Sequence, residues 1–109
     1  MKASELRIGN LVQDTLGVVE IGLNAQVKFA DVYKPIPLTE EWLYRFGFES
    51  TKEGIFKLFK DNKTICTVQE WDFGNFEYSQ LTVHGIYIYY VHQLQNLYFA
   101  LTNQELTLI

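Results

Sequence analysis

Hydrophobic and polar residues alternate in short runs over the first third of the chain, a pattern typical of β-strands. Runs rich in hydrophobic residues at 6–13, 17–23 and 26–32 are separated by Gly, Asn, Asp and Thr residues that favour turns. These runs predict three short antiparallel strands. Pro35 and Pro37 then require extended backbone, because proline fixes its own φ and keeps the preceding residue out of the helical region. The prolines therefore mark a joint in the chain.

The residues after this joint predict a short helix at about 40–46. Thr39 can accept hydrogen bonds from the first backbone amides of that helix, and Glu40 lies where the helix dipole favours negative charge. Gly47 supplies the left-handed backbone on which a helix commonly ends. So short a helix must be stabilised by packing against other elements.

A second helix is predicted at about residues 91–102, where Leu94, Tyr98 and other hydrophobic residues recur at helical spacing. Asn103 is its expected left-handed terminator, and residues 105–109 are expected to form a final short strand. The opposite side of the helix mixes hydrophobic residues with His, Gln and Asn. Either both sides of this helix pack, or one side meets a partner.

Between the two helices, the alternation of residues 55–91 predicts an antiparallel meander. Its turns are predicted at residues that tolerate positive φ, namely Asp61-Asn62, Gly74-Asn75 and His84-Gly85. If the second and third turns contain two residues each, Val68 lies opposite Leu81, and Leu81 lies opposite Ile88.

In this register the two faces of the predicted sheet differ in chemistry, because side chains alternate across a strand. One face carries an aliphatic set, Cys66, Val68, Leu81, Val83, Ile86 and Ile88. The other face carries six aromatic residues, Trp71, Phe73, Phe76, Tyr78, Tyr87 and Tyr89. Trp and Tyr are enriched at interaction hot spots, so these six residues are the predicted binding face. The competing interpretation is that one of the helices covers this face.

Composition and charge exclude several classes of protein. Thirteen acidic residues against nine basic ones give a net charge of -4, and the two Arg residues and the Lys residues form no large cluster. DNA- and RNA-binding proteins take much of their affinity from Lys and Arg on phosphates, so we expect no nucleic-acid partner. No hydrophobic run approaches a membrane span, no signal peptide is recognisable, and a single Cys favours a reducing compartment. We therefore expect a cytoplasmic protein without a membrane partner.

Residue types used in nucleophilic catalysis are present, but their placement favours structural roles. Cys66 with His84 or His92 has the composition of a thiol nucleophile and its base. Cys66 falls on the aliphatic face of the predicted sheet, however, where a free Cys usually behaves as a small hydrophobic residue. We expect no catalytic residue among them.

Three carboxylates, those of Glu70, Asp72 and Glu77, lie near one predicted hairpin. They have the chemistry to act as an acid and a base or to bind a hard cation. Carboxylates around an exposed turn more often form a solvated edge that discourages strand pairing. The two His residues have no third ligand at a spacing that suits zinc. We therefore expect a protein that is not an enzyme and has no metal and no cofactor.

Three longer strings indicate a family. They are Glu-Leu-Arg-Ile-Gly-Asn near the start, Pro-Ile-Pro-Leu-Thr-Glu-Glu-Trp-Leu followed by Phe-Gly-Phe-Glu, and Tyr-Val-His-Gln-Leu-Gln-Asn-Leu-Tyr-Phe-Ala-Leu-Thr near the end. In these strings the chain resembles a family of small, functionally uncharacterised proteins from phages and prophages of gut bacteria. The resemblance implies a phage-borne protein in a host cytoplasm and transfers no functional residues. Asn103 stands where Gly is expected in relatives.

The predicted elements add up to one α+β domain over residues 1–109. It combines a small N-terminal antiparallel β piece with a β-meander and two short helices. The opening, Leu-Arg-Ile-Gly-Asn-Leu-Val followed by Gly-Val-Val-Glu-Ile, is similar to that of small SH3-like barrels.

Binding is the remaining class of function, and two hypotheses follow. The first is a non-enzymatic protein-interaction module, whose partner is a host protein or a second copy of the chain; Leu97 and Phe99 are the residues predicted to contact such a copy. The second is a protein that binds or sequesters a small nucleotide-like ligand. That ligand requires positive charge near the aromatic residues, and Arg7, Arg45 and Lys28 are the scattered residues that could supply it.

Overall fold

A computed structural model of the protein describes residues 3–22, 32–72, 74–80 and 83–109. The elements, in chain order, are a 3-10 helix at Ala3–Glu5, strands β1 (Leu11–Asp14) and β2 (Gly17–Glu20), helix α1 (Glu40–Arg45), strands β3 (Glu49–Lys52), β4 (Ile55–Lys60), β5 (Lys63–Glu70), β6 (Phe76–Gln80) and β7 (Val83–Ile88), and helix α2 (Val91–Thr102). Strands β1 and β2 form one antiparallel sheet, and β3 to β7 form a second in sequential order. The predicted α+β class is confirmed.

The chain divides into two compact units that interrupt each other in sequence. The first combines Met1–Pro37 with Tyr90–Leu106, and the second combines Leu38–Tyr89 with Thr107–Ile109. The first division falls at the proline joint, where fixed backbone torsions suit a change of direction. That the whole chain behaves as a single domain stays a prediction.

The first unit contains the β1–β2 hairpin, which forms two of the three predicted N-terminal strands, and helix α2. Leu6, Val12 and Ile21 are its buried hydrophobic cluster, with Val19 and Tyr33 partly buried against it. The third predicted strand, at 26–32, lies almost wholly outside the described residues, and the SH3-like barrel stays a prediction.

Helix α2 begins and ends as predicted, and both of its sides pack. Its carboxyl end is Asn103, with left-handed backbone at φ 57°. Its polar side bonds to the segment that leads into β1: Gln95 Oε1 accepts from the Leu11 N–H at 2.8 Å, and Gln95 Nε2 donates to the Gly9 carbonyl at 3.0 Å. Asn10 Nδ2 donates to Asn96 Oδ1 at 2.7 Å. The polar residues of the helix therefore hold the N-terminal segment by hydrogen bonds.

The second unit begins with helix α1, whose two ends are determined by residues adjacent to them in the sequence. The Thr39 side chain accepts from the Trp42 N–H at 3.4 Å, as the sequence predicts for an N-cap. Phe46 is the C-cap, and Gly47 follows it with φ at 93°. The Tyr44 ring meets the Phe56 ring edge-on at 5.7 Å, so the helix packs on the sheet.

The five-stranded sheet has one buried face. The predicted turn at Asp61-Asn62 is confirmed: both residues have positive φ, and Lys60 pairs with Lys63. The buried face carries Phe56, Cys66, Val68, Phe76, Tyr78, Gln80 and Ile88. Strand β3 was not predicted, because its sequence, Glu-Ser-Thr-Lys, is exposed throughout and has no hydrophobic alternation.

The predicted register between β5 and β6 is wrong. Val68 pairs with Tyr78 and not with Leu81. The hairpin closes through a longer loop, in which the Trp71 N–H donates to the Asn75 carbonyl at 3.1 Å and the Asn75 N–H donates to the Asp72 carbonyl at 2.9 Å. Because the shift is an odd number of residues, it moves the side chains of β6 to the opposite face from the one predicted.

The predicted turn at His84-Gly85 is also wrong, because both residues lie inside β7. Gly85 has φ 70°, and the pairing of β6 with β7 changes register between Tyr78 and Gln80. A glycine of this kind within a strand marks a bulge as readily as a turn. The final strand predicted at 105–109 does not form either.

Candidate functional site

The six aromatic residues predicted to share one face do not all lie together. Trp71, Tyr87 and Tyr89 are 60%, 53% and 47% exposed. Phe76 and Tyr78 are buried with the hydrophobic residues of the other face, as the corrected register requires. They are therefore core residues. Phe73 lies outside the described residues. We call Trp71, Tyr87 and Tyr89 the outer aromatic patch.

Glu77 links Trp71 and Tyr87, although the sequence predicts it as part of a solvated edge and not as a binding residue. It pairs with Tyr87 across β6 and β7, and its Oε2 accepts from Trp71 Nε1 at 2.5 Å. Gly85 lies beside this carboxylate, since a Cβ there would be 3.4 Å from Glu77 Oε1, and its positive φ of 70° favours glycine. In the predicted register Glu77 lies on the opposite face of the sheet from Trp71. The contact between these two side chains could therefore not be predicted.

A cleft of about 380 Å³ lies in the second unit beside the start of α1. Its lining is acidic and apolar: Leu38, Thr39, Glu40, Glu41, Glu70, Gly74 and Phe76. A hydrogen bond with Glu70, followed by burial and the charge of Glu70, raises the pKa of the Glu40 carboxyl. No Lys or Arg is among these lining residues, so the cleft offers no cationic partner for a phosphate.

Cys66 and His84 line a second, shallow cleft of about 210 Å³. The Cys66 thiol is buried, and burial raises its pKa to about 11, although a hydrogen bond with Tyr78 opposes the shift. A thiol with so high a pKa carries little thiolate near neutral pH, and the thiolate is the nucleophile. The arrangement favours the structural role predicted for Cys66.

His92 belongs to the first unit, on helix α2. Its side chain is 4% exposed, and its ring stacks on the Tyr90 ring at 5.9 Å. Nδ1 has no hydrogen-bond partner among the residues that the structure describes. Burial lowers the pKa of His92, and the charge of Glu5 opposes that shift. The imidazole is thus held in its neutral form.

Two of the three cationic residues considered for a nucleotide-like ligand, Arg7 and Arg45, have other partners. Arg7 forms an ion pair with Glu105, and its guanidinium lies 4.2 Å from the centre of the Phe99 ring. The Arg45 guanidinium lies at the same distance from the Trp42 ring. Lys28 lies outside the described residues.

The two residues predicted to contact a second copy, Leu97 and Phe99, are half-buried on α2. Arg7 covers the ring of Phe99, as described above, which leaves less hydrophobic surface on this side of the helix than its sequence suggests. Their role in self-association stays a prediction.

Within the described ranges, no group of three or more His, Cys, Asp or Glu side chains is arranged to hold a metal ion. The helices in those ranges are also too short, or too polar, to cross a bilayer. Comparison of the chain with protein-family models, with curated proteins and with solved structures found no match.

Proposed function

We propose that the protein is a non-enzymatic binding protein whose contact surface for a partner protein is the outer aromatic patch. The observation that carries this proposal is the exposure of Trp71, Tyr87 and Tyr89 on one unit. Large aromatic side chains with polar tips supply rigid contact area at little cost in conformational entropy, and they dominate binding energy at many interfaces. The resemblance to phage and prophage proteins makes a host protein in the cytoplasm the expected partner.

A small nucleotide-like ligand is less well supported. The larger cleft is lined by Glu40, Glu41 and Glu70, whose charge repels phosphate. The guanidinium groups of Arg7 and Arg45 lie over aromatic rings. We therefore expect nucleotides to leave the melting temperature of the protein unchanged. An increase with one nucleotide and not with others would support this alternative.

The experiment that tests the proposed function compares alanine variants of the patch with an alanine variant of another exposed aromatic residue on the same sheet. The tagged protein is isolated from the cells that encode it, the retained protein is identified, and its affinity is measured by calorimetry with both components purified. Trp71→Ala or Tyr87→Ala should weaken this affinity by a factor of about 10 or more, as at interface hot spots. Phe59→Ala, at an exposed aromatic position of β4 in the same sheet, is the control and should not change it. Equal affinities for all variants would contradict the proposal.

A second copy of the chain is the competing occupant of the patch. Light scattering of the same variants decides between the two. If a dimer forms and Trp71→Ala dissociates it, the patch is a homodimer surface. If Phe99→Glu dissociates it instead, helix α2 supplies the interface.

A further inference from the structure

The charge pattern around the outer aromatic patch is one-sided. All nine basic residues of the chain lie within residues 1–63, so residues 64–109 contain neither Lys nor Arg. Within that stretch, Glu70, Asp72 and Glu77 surround the hairpin that carries Trp71. Of these, Glu77 lies on the outer face with Trp71 and Tyr87, whereas Glu70 pairs with the buried Phe76 and lies on the opposite face.

The acidic side chains of this hairpin form no ion pair with a Lys or Arg in the described part of the chain. Among the described residues, Trp71 Nε1 is the hydrogen-bond partner of the Glu77 carboxylate, and neither Lys nor Arg forms an ion pair with it. The basic residues on the same face, Lys52 and Lys57, lie on β3 and β4. They are at least two strands away from β6, or roughly 10 Å at the usual strand spacing. Neither β3 nor β4 is paired directly with β6.

A second pair of carboxyl groups lies at the same end of the sheet but on its other face, because Glu70 pairs with the buried Phe76. Glu40, at the start of α1, contacts Glu70 at the end of β5, and this contact raises the pKa of Glu40. The carboxylate of Glu70 also accepts from the Gly74 N–H at 3.3 Å. This pair adds to the negative charge of the second unit, but it does not line the outer aromatic patch.

We propose that the outer aromatic patch binds a basic segment of a partner protein, with an Arg or Lys side chain on the Trp71 ring and its charge paired with Glu77. An indole is the best aromatic partner for a cation, and the attraction strengthens when a carboxylate lies beside the ring. The Trp71–Glu77 hydrogen bond fixes both groups side by side. The same negative charge disfavours a second, equally acidic copy on this surface. This inference rests on the proposed function and names the chemistry of its partner.

The test uses two labelled hexapeptides, alternating Gly with Arg in one and Gly with citrulline in the other. Citrulline has the shape of Arg without its charge. Fluorescence anisotropy near physiological salt, on the full chain, should show binding of the Arg peptide and at least about tenfold weaker binding of the citrulline peptide. Glu77→Gln and Trp71→Leu should each weaken binding of the Arg peptide about fivefold or more, while Trp71→Phe, which keeps a ring, should retain part of it.

Glu49→Gln is the matched control, because Glu49 is an exposed residue of β3 on the far edge of the same sheet. It changes net charge by the same amount as Glu77→Gln, and it should leave the affinity for the Arg peptide unchanged within about twofold, since a distant exposed charge is screened. Circular dichroism verifies the fold of each variant.

Three results would overturn the proposal: equal affinity for both peptides, equal effects of Glu49→Gln and Glu77→Gln, or dissociation of a dimer by Trp71→Leu. The first two would leave the proposed function intact if an identified partner still depended on Trp71 and Tyr87. Loss of that dependence as well would overturn both.

Discussion

At the scale of single residues, burial decides the roles of the two groups with the most reactive chemistry, Cys66 and His92. Each is almost inaccessible to solvent, and each has a pKa displaced by burial toward its neutral form. Burial disfavours the charged form of both side chains, so both remain neutral near pH 7. Substitutions of Cys66 or His92 should therefore change the stability of the protein.

For Cys66 we expect slow reaction of its thiol in the native protein and a small loss of stability when it is replaced. Cys66→Ala should lower the free energy of unfolding by about 1 kcal/mol, because it leaves a small cavity on the buried face of the sheet. Urea denaturation measures this change. A thiol reagent should label the native protein slowly and the unfolded protein fast. Rapid labelling of the native protein would show that the thiol is accessible.

For His92 we expect a loss of stability in mild acid. Because its folded pKa is lower than that of an exposed histidine, the unfolded chain binds a proton first as the pH falls below about 6.5. The stabilising contribution is full above that pH and decreases below it. The free energy of unfolding should therefore decrease between about pH 7 and 5 more steeply in the wild-type protein than in His92→Phe, which keeps the ring stacked on Tyr90. Identical slopes would contradict the prediction, and the effect of Glu40 is present in both proteins.

At the scale of elements, the features predicted correctly are those with local causes. Thr39 caps α1, Asp61-Asn62 closes a hairpin, and Asn103 ends α2. Each signal requires only a few adjacent residues, because backbone torsion and capping are local properties. The bounds of α2 were correct for the same reason.

The register of the sheet, and with it half of the candidate site, could not be predicted in this way. Gly74-Asn75 is compatible with a two-residue turn and with the longer loop that forms. The two-residue turn would place both Phe76 and Tyr78 on the outer face of the sheet, whereas the longer loop places both on the buried face. The choice depends on which residues the folded sheet can bury. The polar side of α2 was equally undetermined, since Gln95 bonds to Leu11, which lies 84 positions earlier in the chain.

The end of α2 provides a test of a single backbone torsion. Asn103 has a positive φ, and its N–H donates to the Phe99 carbonyl at 2.8 Å. A Cβ without a polar group is disfavoured in this conformation, so Asn103→Ala should lower the free energy of unfolding by about 1 kcal/mol. Asn103→Gly should leave stability equal or slightly higher. Thermal unfolding measures both variants, and a more stable Ala than Gly variant would contradict the assignment.

At the scale of the whole molecule, charge is distributed unevenly along the chain. Every Lys and Arg lies in residues 1–63, while acidic residues occur in both halves. The two Arg residues lie over the aromatic rings of Phe99 and Trp42. Strands β6 and β7 of the second unit contain neither Lys nor Arg. The absence of positive charge on these two strands favours a cationic partner.

The same distribution predicts that the protein does not bind nucleic acid at physiological salt. Non-specific affinity comes from Lys and Arg that neutralise phosphates and release counterions, and a chain with a net charge of -4 repels the backbone at long range. The basic residues closest in sequence, Lys57, Lys60 and Lys63, surround one hairpin turn and neutralise few phosphates. Mobility-shift titrations with double- and single-stranded DNA and with RNA should show no complex at micromolar protein. A complex that weakens steeply with added salt would contradict the prediction, because that dependence is the signature of phosphate contacts.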